Sequence, residues 1–83
     1  MLPTVLRFGG LRVVVYPNDH RPAHMHVIGR GHEAVFNLNC PEGPVELRES
    51  YGFARHDLAQ IRRSLTHRLH DLCTAWESIH GIE

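Results

Sequence analysis

From about Arg55 to His80, apolar residues recur at Leu58, Ile61, Leu65, Leu69, Leu72, Trp76 and Ile79. At about 100° per residue these positions fall in a stripe roughly 80° wide. That spacing predicts one long amphipathic helix over about 55–80, with Gly81 as its stop. A helix patterned in this way is held by the surface it covers rather than by its own propensity. The earlier part of the chain has to provide that surface.

It does so with short runs punctuated by glycine and proline. Thr4 to Phe8 and Leu11 to Tyr16 are rich in β-branched and aromatic residues, and Gly9-Gly10 separates them. Two glycines between such runs predict a hairpin, because the favoured two-residue turns need positive φ. Pro17-Asn18-Asp19 reads as a turn. Arg21-Pro22 holds the chain extended ahead of a strand over His24 to Ile28. Gly29-Arg30-Gly31 turns it again. Glu33 to Leu38 alternates, with Ala34, Phe36 and Leu38 on one face. A loop over 39–44 leads to Val45–Leu47, a short last strand or an extended lead-in. Strands at about 4–47 followed by a helix predict an α+β fold. We expect a small antiparallel sheet of three to five strands, with the helix across one face.

At 83 residues the chain is expected to form a single domain, 1–83. A domain of this size hides only about 60% of its unfolded surface. Its core is thin, so a partner protein or a homo-oligomer would help it. An apolar fraction of 42% argues against disorder. Nine arginines offset nine acidic residues, and there is no lysine. This balance lacks the basic excess of a general RNA or DNA binder. No apolar window approaches a membrane span, and no leader pattern opens the chain. A soluble, cytoplasmic protein with no membrane partner is expected. Cys40 and Cys73 lie far apart and form no paired motif, so each is expected as a reduced thiol.

The chemistry concentrates in Asp19-His20-Arg21-Pro22-Ala23-His24-Met25-His26-Val27. On a strand, His24 and His26 point the same way, about 7 Å apart, on the face the helix leaves open. Met25 and Val27 point into the core. His20 precedes the strand and could swing toward them. Three histidines are a full protein ligand set for a divalent metal such as zinc, with one position open. Asp19 or Glu33 could orient an imidazole. Alternatively, His24 and His26 could serve as acid and base on a phosphodiester, with Arg21 or Arg30 neutralising phosphate. The plain alternative is a polar strand face in a chain with eight histidines.

Elsewhere the bland readings carry more weight. His67, His70 and Asp71 fit a solvated helix face, as do Arg55, Arg62, Arg63 and Arg68 with their acidic neighbours. Tyr51-Gly52-Phe53 is expected to seat its rings against the helix start or the sheet. Trp76 falls in the apolar stripe and reads as core.

The opening Pro3 to Gly10, the Val-rich strand and the Asp-His-x-Pro-x-His-x-His-Val string at 19–27 resemble the bacterial domain-of-unknown-function family 4160. Glu33-Ala34 and Trp76 fit the same pattern, and the resemblance covers nearly the whole chain. It implies a component of a two-protein module resembling a toxin–antitoxin pair. The module would act by protein binding, with a small cognate protein from an adjacent gene. It also marks His20, His24 and His26 as a shared feature without assigning them a role.

Overall fold

Gly9 and Gly10 take φ of +54° and +77°, the left-handed conformation that a primed two-residue turn requires. They close a hairpin between β1 (Thr4–Phe8) and β2 (Leu11–Val14). Arg30 and Gly31 do the same, at +55° and +78°, between β3 (His24–Gly29) and β4 (His32–Asn37). A fifth strand, β5 (Glu46–Tyr51), completes an antiparallel sheet whose spatial order is the chain order. The computed structural model describes residues 4–81; Pro3, part of the opening motif, lies outside them.

The register sorts the side chains. Val13, Val27 and Ala34 form one cross-strand row, and each is fully buried on the helix side. One residue along, Val14, His26, Val35 and Glu49 form a row on the opposite face. Met25 and Val27 enter the core as their alternation predicts.

The apolar stripe is borne by two helices rather than one. α1 (Arg55–His67) supplies Ile61 and Leu65 to the core, and α2 (Leu69–His80) supplies Leu72 and Trp76. Between them Arg68 leaves helical geometry, at φ −114° and ψ 19°. Its N–H bonds to the Leu65 carbonyl, three residues back rather than four. The Thr66 hydroxyl donates to the Arg62 carbonyl at 2.8 Å, a back-bond that bends helices. The periodicity survives because the break inserts no residue. The break shows in the backbone at Arg68, which spacing does not report.

Two further expectations need correction. Cys40 and Cys73 are not thiols but a disulfide, with Cα atoms 5.9 Å apart. The loop after β4 meets the second turn of α2, a contact between residues 33 apart in sequence. β5 runs past Leu47 to Tyr51. It is an edge strand, exposed at all but one position, so no apolar alternation marks it. A register shift opposite Val35 and Phe36 leaves Arg48 without a partner residue. Of the aromatic pair before α1, Phe53 packs into the core while Tyr51 is 63% exposed. Among the described residues, no helix is long and apolar enough to cross a membrane.

Candidate metal centre

The Tyr16–Asp19 turn aims the site. Asp19 N–H donates to the Tyr16 carbonyl at 2.9 Å, and Tyr16 N–H donates to Asp19 Oδ2 at 3.0 Å. This reciprocal pair folds the Asp19 carboxylate back over the ends of β2 and β3. There it meets both imidazoles. His24 Nε2 lies 3.4 Å from Oδ1, and His26 Nε2 lies 3.2 Å from Oδ2. One ligand atom from each of Asp19, His24 and His26 lies within 4.8 Å of the others.

The far sides of the rings are also held. His24 Nδ1 lies 2.8 Å from the Pro22 carbonyl. A carbonyl can only accept, so Nδ1 carries the proton and a neutral His24 turns its Nε2 lone pair toward Asp19. His26 Nδ1 faces Glu33 Oε2 at 3.2 Å. His26 thus stands between two carboxylates, and a neutral ring can donate to only one. Lone pairs facing carboxylate oxygens repel unless a proton or a cation lies between them.

The separations accommodate either a hydrogen-bonded proton or a cation. A charged N–H···O⁻ bond closes to about 2.7–2.9 Å, whereas these Nε2–Oδ separations are 3.2–3.4 Å. Donors about 2.0–2.1 Å from a tetrahedral zinc stand about 3.3 Å from one another. Imidazoles gripped at Nδ1 by a carbonyl and a carboxylate, with Nε2 converging, match the support found behind metal-bound histidines. The surroundings are anionic. Among the described residues, no arginine pairs with Asp19 or Glu33. The Tyr16 ring meets His26 edge-on at 4.4 Å. Burial, then the charges of Glu33 and Asp19, push its phenol above the usual 10.0 despite the opposing pull of Arg12.

His24 does not simply face the open side of the sheet. Its ring lies 5.2 Å from that of Trp76, and Trp76 stacks on His80 at 4.0 Å. Trp76 Nε1, His80 Nε2 and Oδ1 of Asn37, the residue across from His24 on β4, are buried without a hydrogen-bond partner. Each such group costs about 1–3 kcal/mol.

Of the residues singled out by sequence, the structure brings His24 and His26 together and replaces His20 with Asp19. His20 is exposed and lies outside the group. Arg21 is also apart, donating to the Gly81 carbonyl at 3.2 Å. Of Asp19 and Glu33, either of which could orient an imidazole, Glu33 lies behind His26, at 3.2 Å from Nδ1. Trp76 and His80 were not expected at the site; nothing in their helical spacing links them to a strand 50 residues earlier. His67, His70 and Asp71 are exposed, and Asp71 pairs with Arg68. No curated protein and no solved structure matches the chain. A family model does match, over residues 10–77 and so across the whole site: the chain belongs to the family described as domain of unknown function DUF4160.

Proposed function

We propose that this chain is a metal-binding domain that takes one first-row divalent ion, such as zinc, on Asp19, His24 and His26. The observation that carries this reading is the convergence of two imidazole Nε2 atoms on one carboxylate at 3.2–3.4 Å, with both Nδ1 atoms held from behind. Three protein ligands leave a position for water or substrate, the arrangement zinc hydrolases use. Elemental analysis of protein purified without chelator tests it. One ion per chain is expected, and none in the Asp19→Ala, His24→Ala double variant. Absence of stoichiometric metal from the unmodified protein, even after incubation with zinc, removes the reading.

A second reading is supported by the sheet edge. β5 offers unpaired backbone and carries Leu47, 45% exposed, and Tyr51, 63% exposed. This fits a component of a cytoplasmic, toxin–antitoxin-like two-protein module, bound through β5 to a small cognate protein from an adjacent gene. Co-expression with that neighbour tests it: co-purification is expected, weakened by Leu47→Asp. A metal-independent ribonuclease built on His24, His26 and Arg21 has less support, because Arg21 is engaged elsewhere and both Nε2 atoms face Asp19.

A further inference from the structure

A second polar constellation lies away from the histidines, at the opposite ends of β2 and β3. There α1 passes over the two hairpin turns and leaves a small cleft of about 120 Å³. That is below the roughly 300–1,000 Å³ of drug-sized sites, so only a small ligand fits. Its floor is apolar: Leu11 and Ile61 are 4% and 2% exposed, and Phe8 is half-buried beside them. Asp57, Ile61 and Ser64 reach it from one face of α1, at i, i+4 and i+7. Arg30 enters from the β3–β4 turn.

Three features hold Arg30 there. Its backbone sits at φ +55°, where a long side chain is disfavoured and glycine or asparagine is usual. Its guanidinium lies over the neighbouring turn and donates to the Gly9 carbonyl. Gly9 leaves room for it, since a Cβ at that position would come within 3.3 Å of Nη2. Yet its charge is unspent. Arg30 and Asp57 line the same cleft but stand too far apart to pair. Among the described residues, the ionic contact of Asp57 is with adjacent, exposed His56 at 3.4 Å.

We propose that this cleft binds a small zwitterion, an α-amino acid with an apolar side chain. The carboxylate meets Arg30, whose planar donors suit it. The ammonium meets Asp57, and the side chain lies on Phe8, Leu11 and Ile61. This site is separate from the metal centre and does not depend on it.

Calorimetric titration of the full chain with L-leucine tests the proposal, alongside 4-methylpentanoate, which lacks the ammonium, and isopentylamine, which lacks the carboxylate. Leucine is expected to bind at least tenfold more tightly than either. Arg30→Asn, which suits positive φ and so preserves the turn, should abolish leucine binding. Asp57→Asn should reduce leucine to the level of 4-methylpentanoate. No heat with leucine at millimolar concentration, equal binding of leucine and 4-methylpentanoate, or leucine binding unchanged in Arg30→Asn would each overturn it. Circular dichroism of the variants separates loss of the site from loss of the fold.

Discussion

The indole of Trp76 lies against the imidazole of His24, with ring centroids 5.2 Å apart and planes tilted by 48°. This contact joins the second helix to β3 and puts a spectroscopic probe beside the proposed metal site. Trp76 is the only tryptophan in the chain. Titration with zinc is expected to change its emission to saturation at one equivalent. The change should vanish in His26→Ala, which removes a ligand without touching the indole. An unchanged spectrum on saturating zinc would count against the placement of His24 at the metal.

Bound metal should stabilise the fold by mass action. A ligand present at about 100 times its dissociation constant contributes about 2.7 kcal/mol. In a domain of this size that raises Tm by roughly 10 °C or more. Glu33→Gln, which weakens the hold on His26 Nδ1, should cost about 10–100-fold in zinc affinity. Asp19→Asn should cost more. Differential scanning fluorimetry against zinc concentration reads both. Equal shifts in all three proteins would argue that the ion binds elsewhere.

Reduction should weaken the fold without dismantling the sheet. Joining residues 33 apart removes loop entropy from the unfolded chain, worth about 3–4 kcal/mol. Cys40→Ser, or treatment with a dithiol, should lower Tm by more than about 10 °C. The far-UV signature of the strands should persist at room temperature. A Tm insensitive to reductant would exclude the Cys40–Cys73 bond.

Alkaline pH offers a further check. The Tyr16 phenol is held above 10.0, first by burial and then by Glu33 and Asp19. Because the folded state keeps this proton longer than the unfolded chain, the contribution to stability is complete below pH 10. It is lost as pH rises through the raised value. Tyr51 is the other tyrosine and is raised as well, so a Tyr51→Phe background isolates Tyr16. Absorbance titration should place Tyr16 above 10.0, and Glu33→Gln should bring it down. A midpoint at or below 10.0 would contradict the packing of Tyr16 against His26.

Local signals carried far in this chain. Gly9-Gly10 and Gly29-Arg30-Gly31 announced their turns because glycine takes positive φ without steric cost. Met25 and Val27 were separable from His24 and His26 because alternation on a strand is fixed by the pleat. What stayed hidden needed three dimensions. Asp19 rather than His20 joins His24 and His26 because a turn closed on Tyr16 directs the carboxylate inward and leaves the next side chain outside. The direction of a loop residue has no period to betray it. The helix break at Arg68 is invisible for a related reason: an uninterrupted count keeps the stripe in phase across it.

The site and the disulfide differ in how much of the chain each requires. Asp19 lies in the connection between β2 and β3, and His24 and His26 lie at the start of β3, so bringing the three together closes only a short loop. Cys40 and Cys73 are joined across 33 residues, with α1 and the start of α2 between them. The site therefore draws on one local stretch of chain, while the disulfide ties the loop after β4 to the second helix.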